Sequence, residues 1–127
     1  MISVEGYLTQ HAAAGAAPAF VEQNAIDLLG RVNALTDDSR CPVRDPGLRS
    51  GWRPPAYNAS VPGAAPNSGH ITGHSIDLDD NDCVLDNWLT DELLAEFGLY
   101  REHPSQTQTW VHLQSYPPKS GKRTFFK

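Results

Sequence analysis

The sequence predicts an α+β domain in which a small antiparallel sheet packs with two main helices. Three observations carry this reading. One long segment and one shorter segment repeat apolar residues at three- and four-residue spacing, and short alternating segments lie between and after them. The connections are rich in Pro and Gly, with ten of each, and too irregular for repeated β-α-β units. At 127 residues, the chain suits one domain spanning 1–127. Hydrophobic residues at 39% and charged residues at 20% make it globular rather than disordered.

The first helix is expected over 18–36, where Phe20, Val21, Ala25, Ile26, Leu28, Leu29, Val32 and Leu35 form an apolar face. Pro18 suits its first turn, and Gly30 weakens its middle. Residues 37–48 are polar and carry Pro42, Asp45, Pro46 and Gly47, so they read as a loop. Arg49 to Arg53 reads as a short strand that Pro54-Pro55 ends. Residues 54–69 form a second loop. A loop this long in a small domain is either disordered or functional, and this one leads straight into a histidine-bearing segment. The second helix is expected over 86–97, with Trp88, Leu89, Leu93, Leu94 and Phe97 on one face and Gly98 as its stop. Leu99-Tyr100 begins a strand. Thr107 to Gln114 includes another, with Trp110, His112 and Gln114 on one face and Val111 and Leu113 on the other. Pro117-Pro118 ends it.

Charge excludes some partners. The formal net charge is -5 and no basic stripe is visible, so nucleic acid is not expected. The cluster Lys119, Lys122, Arg123 and Lys127 reads as a solvated tail. No apolar run approaches the ~20 residues that cross a bilayer. The start, Met1 to Tyr7, lacks the basic-then-apolar layout of a signal peptide, which points to synthesis in the cytoplasm. Cys41 and Cys83 read as free thiols, and neither lies in a C-x-x-C pair that would suggest a thiolate zinc site. A monomer is expected.

The chemistry is concentrated in Ser68 to Asp80, where His70, His74 and Asp77 fall within eight residues. Imidazole nitrogen and carboxylate oxygen suit zinc, and a catalytic zinc site takes three protein ligands and keeps one position open. His70 with His74 would need a helix, but Thr72 and Gly73 disfavour one and no Glu follows His70. His70 with Asp77 is preferred. Ile76 and Leu78 alternate with Asp77 as on a strand, and a turn at Gly73 can bring His70 to the same face. His112, on the alternating strand, is the best third ligand. Each of these residues taken singly reads as an ordinary surface, core or capping group; their combination is what suggests a metal.

The run S-x-H-x-x-G-x-S-x-D at Ser68 to Asp77, followed by W-V-H at Trp110 to His112, resembles the zinc D-alanyl-D-alanine carboxypeptidases and phage L-alanoyl-D-glutamate endopeptidases. These share a fold with the hedgehog signalling domain. Ser50 to Pro55 resembles the family's S-G-[aromatic]-R element, and the stretch from Trp110 to Arg123 looks like a phage-borne branch. The resemblance spans roughly residues 20–127. It implies that His70, Asp77 and His112 hold Zn2+, and that Arg53 binds a substrate carboxylate or the scissile carbonyl. Ser68 and Trp110 would line the substrate cleft. The expected substrate is a peptidoglycan stem peptide, met after release in phage lysis or on a virion. One departure stands out. Many family members carry an acidic general base three residues before the last histidine, where this chain has Thr109. Glu102 is the leading replacement, with Asp79, Asp80 and His103 as others, and His74 is a further group for a ligand or an oxyanion. A chain with no base in reach would be a non-catalytic zinc domain that binds wall peptide or a phage structural partner.

Overall fold

In a computed structural model describing residues 1–127, six helices surround a five-stranded mixed sheet. The longest element is α2 (Ala19–Asp37), close to the expected span. It buries Val21, Ala25, Leu28, Leu29, Val32 and Leu35, whereas Phe20 and Ile26, assigned to the same face from spacing, are exposed. Before it lies α1 (Val4–Thr9), which the sequence did not announce. Six residues are too few for propensity to decide. Ser3 caps it, and the fully buried Tyr7 anchors it by donating to the Ser75 carbonyl at 2.7 Å.

The sheet order is β1 (Leu48–Ser50), β2 (Ser75–Asp79), β4 (Trp110–Gln114), β3 (Tyr100–Glu102) and β5 (Thr124–Phe125). The first four strands pair antiparallel, as expected, but β5 lies parallel to β3, so the sheet is mixed. This strand corrects the reading of the basic segment as a solvated tail. Phe125 is buried, and the Arg123 guanidinium covers the Tyr100 ring at 4.3 Å, although Lys119 and Lys122 remain exposed. The expected strand over 49–53 is shorter than foreseen, since Gly51 to Arg53 leave the ladder.

The second expected helix is divided. Helix α5 (Val84–Trp88) ends at Leu89, and α6 (Asp91–Glu96) restarts behind Thr90, whose side chain accepts from the Leu93 amide. The second long loop, 54–69, contains one helix and runs into another. Helix α3 (Pro55–Ser60) follows Pro54-Pro55, and α4 (Gly69–Thr72) is a single turn capped by Ser68 and closed by Gly73 at φ 83°. A Cβ at Gly73 would sit 2.6 Å from the Val21 carbonyl oxygen, so both the left-handed backbone and the close approach to α2 require glycine.

Period-two alternation is obeyed where it matters. Ile76, Leu78, Val111 and Leu113 point into a contiguous core with the inner face of α2, Trp52, Leu85, Leu94 and Leu99. Asp77 and His112 are therefore left on the opposite face as cross-strand partners. No helix is long and apolar enough to cross a membrane. Cys41 and Cys83 are both free and half-buried.

Candidate metal centre

The site is a row of residues across the sheet. Ser50 on β1 pairs with Asp77 on β2, Asp77 pairs with His112 on β4, and Glu102 on β3 pairs with Phe125 on β5. The β3–β4 register, Tyr100 with Gln114 and Arg101 with Leu113, runs on to set Glu102 beside His112. All five face one cleft of about 790 Å³. Opposed residues on neighbouring strands have Cβ atoms about 4.5–5.5 Å apart, so a row of this kind concentrates side chains without help from a loop.

His70 reaches the row from α4, the helical turn before β2. Its position depends on the αL turn at Gly73, where the sequence placed the bend. The ligand atoms of His70, Asp77 and His112 all lie within 4.8 Å of one another. His70 Nε2 is 3.3 Å from Asp77 Oδ2, and His112 Nδ1 is 2.9 Å from Asp77 Oδ1. Tetrahedral zinc with ~2.0–2.1 Å bonds sets its ligand atoms about 3.3 Å apart, so the spacing suits such an ion with little movement. The outward ring nitrogens are also engaged. His70 Nδ1 donates to the Gly51 carbonyl at 2.9 Å, and His112 Nε2 lies 3.0 Å from Gln114 Oε1. Two imidazole nitrogens and one carboxylate, with outer partners on both rings, make a donor set that can hold a divalent cation.

Electrostatics agree with the geometry. Burial alone would raise the Asp77 carboxyl, but the neighbouring His70 and hydrogen bonds from both histidines hold it well below the usual carboxylate range. Burial pushes the His70 imidazole down, against the pull of Asp77. Burial also opposes protonation of His112, yet its bond to Asp77 carries it above the ordinary imidazole value. Burial lifts the Glu102 carboxyl above the usual Glu value, with His112 and Lys127 opposing.

Arg53 is half-buried beside the triad. Its guanidinium donates to Ser50 Oγ at 3.0 Å, Asn58 Oδ1 at 3.5 Å and Asp77 Oδ2 at 3.4 Å. Trp110 and Ser68 are on the cleft wall, where Arg49 lies 5.6 Å from the Trp110 ring centroid.

The alternative bases are occupied elsewhere. Asp79 accepts from Arg49 Nε at 2.8 Å. Asp80 is buried and caps α5, accepting from the amides of Leu85 and Asp86. His103 bonds Ser105 and stacks on Phe126. Thr109 bonds Arg49 outside the cleft. His74 corrects another expectation. Its Nδ1 meets Thr72 Oγ1 at 2.7 Å and its ring lies edge-on behind Tyr116, which lines the cleft where His74 does not, so it is not placed to serve a ligand or an oxyanion. Among these carboxylates and histidines, only Glu102 lies on the wall beside the triad.

Sequence reasoning missed three contributors. His11 and Tyr57 stack with centroids 4.0 Å apart at the β1 end of the cleft, and neither lies in a periodic segment. Gly51 supplies the carbonyl that holds His70, and a Cβ there would come 2.5 Å from the Tyr7 backbone oxygen. Gly51→Ala is expected to destabilise the fold by roughly 1–3 kcal/mol through overpacking and to weaken metal retention by moving that carbonyl. Urea unfolding and a chelator competition would check both effects.

Comparisons of the chain with protein-family models, with curated proteins and with solved structures yield no match.

Proposed function

We propose that this chain is a zinc-dependent amide hydrolase acting on peptidoglycan stem peptides, in a phage lysis or virion-associated setting. The observation that carries the proposal is the convergence of His70, Asp77 and His112 in one cleft with Glu102 and Arg53 beside them. The substrate class comes from the resemblance of Ser50–Pro55, Ser68–Asp77 and Trp110–His112 to the wall peptidases. A hedgehog-type arrangement is part of the same proposal.

A divalent cation, which His70, Asp77 and His112 would hold, would supply Lewis-acid chemistry, lowering the pKa of water towards 7 and polarising a carbonyl. The chain's own groups do the rest. Glu102, ionised, takes the proton of the attacking water and returns it to the amine nitrogen as the C–N bond breaks. Arg53 uses three hydrogen bonds to fix its plane, and the guanidinium has five donors in all. The remaining donors serve the substrate carbonyl or a carboxylate near it. Trp110 and the His11–Tyr57 stack wall the cleft and limit water around the reacting bond.

The test is mass spectrometry of purified peptidoglycan incubated with the zinc-loaded protein, with and without chelator. New amine termini should appear only when zinc is present. Zinc and stem-peptide binding without any new amine would instead make the protein a non-catalytic wall-binding domain.

A further inference from the structure

We infer that Gln114 is a positioning residue for the metal centre, fixing the tautomer and ring plane of His112 so that Nδ1 faces the ion. The inference rests on the reading of His70, Asp77 and His112 as ligands.

A neutral imidazole has one lone pair, and either ring nitrogen can carry it. Gln114 removes the choice. Its side-chain Nε2 donates to the Tyr116 carbonyl at 3.0 Å, which leaves Oε1 as the atom turned toward His112. That oxygen can only accept, so His112 Nε2 carries a hydrogen, and once a cation displaces the hydrogen that Nδ1 shares with Asp77, Nδ1 is the nitrogen left with the lone pair. Nδ1 is thereby held on the Asp77 side of the site, 2.9 Å from Oδ1, where its lone pair would meet the ion. Gln114 is two residues beyond His112 on the same strand and face, and it is 5% exposed, so solvent competes poorly for the bond. The two ligand histidines are served differently. His70 leans on the Gly51 backbone carbonyl, which substitution cannot delete, whereas His112 depends on a side chain.

Zinc affinity, measured by competition with a chromophoric chelator, is the readout. Gln114→Leu should bind zinc about 10–100-fold more weakly, the usual effect of losing an outer partner of a metal-bound histidine. Gln114→Glu keeps the acceptor and gives up the amide donor, so it should hold zinc at least as tightly as the parent chain. Nitrogen-15 spectra of the zinc-loaded protein should show His112 protonated at Nε2, with that hydrogen slow to exchange with solvent in the parent and faster in Gln114→Leu. Thermal unfolding without metal separates a merely structural role, which would lower the melting temperature of Gln114→Leu without changing its zinc affinity. Gln114→Met keeps the chain length and carries the same test should Gln114→Leu not fold.

Equal zinc affinity in the parent and Gln114→Leu overturns the inference while leaving the metal reading intact. So does a loss in Gln114→Glu as large as in Gln114→Leu. A parent chain that takes up no zinc overturns both.

Discussion

His112→Ala is expected to leave a folded protein that retains no zinc through purification and loses hydrolysis by a factor on the order of 10⁴ or more. The magnitude follows from what the proposed metal would supply: a water with its pKa lowered to about 7, together with a polarised carbonyl. The folded state should survive because His112 is on the cleft face of the sheet, whereas Val111 and Leu113 on either side of it carry the core contacts. Asp77 also keeps His70 and Arg53 as partners. Metal analysis of the purified variant, circular dichroism and the peptidoglycan assay read the three parts separately. Full activity in a zinc-free variant would sink the metal mechanism outright.

Stripping the proposed zinc from the parent chain should give a related result with a defined pH dependence. Asp77 is held below its ordinary 3.8, so its contribution to metal-free stability is present above that pH and is lost as pH falls through the depressed value. His112 is held above its ordinary 6.5, so its contribution is complete below 6.5 and is lost as pH rises through the raised value. Between these limits the pair supports the metal-free fold. Zinc must displace the His112 proton, so zinc affinity should rise with pH across that same upper region. At free zinc 1,000-fold above Kd, binding adds about 4.1 kcal/mol to stability, which a thermal melt resolves easily.

How much was legible depended on whether a pattern was long enough to decide its own structure. Helix α2 was readable because nineteen residues repeat their spacing several times. Strands β2 and β4 were readable despite five residues each, because Ile76, Leu78, Val111 and Leu113 alternate with polar partners. That same alternation put Asp77 and His112 on one face, although only the fold makes residues 35 positions apart cross-strand neighbours. The short elements were not readable. Helices α1, α3 and α4 and strand β5 have six residues or fewer, and each depends on contacts made elsewhere in the chain. Strand β5 exists because Thr124 and Phe125 find the open edge of β3. The break between α5 and α6 arises from capping: Asp80 reaches forward to start one helix, and Thr90 starts the other. Gln114 was placed on the correct face but given no role, because its value lies in a hydrogen bond that spacing does not reveal.

Glu102→Gln is the second large effect, and it separates the base from the metal. The substitution keeps the size of the side chain and removes its ability to accept a proton, so zinc should be retained in full while kcat falls by about 10²–10⁴. A simultaneous loss of zinc would mean that Glu102 supports the ligands rather than the reaction. The pH profile sharpens the test. Glu102 must be ionised to accept a proton, so kcat/KM should rise with pH along an acid limb governed by this carboxyl. Burial lifts that limb above the usual Glu value of 4.5, and positive charge nearby, from His112, Lys127 or a bound cation, draws it back. The limb should vanish in Glu102→Gln, leaving a low rate that no longer follows this ionisation. Thr109→Glu should not restore the rate in that background. Position 109 lies outside the cleft, and a carboxylate there would meet Arg49, whose Nη1 already lies 2.6 Å from Thr109 Oγ1. The row across the sheet thus places Glu102, the proposed proton acceptor, beside His112 from a neighbouring strand, where the peptidases that the sequence resembles draw theirs from three residues upstream.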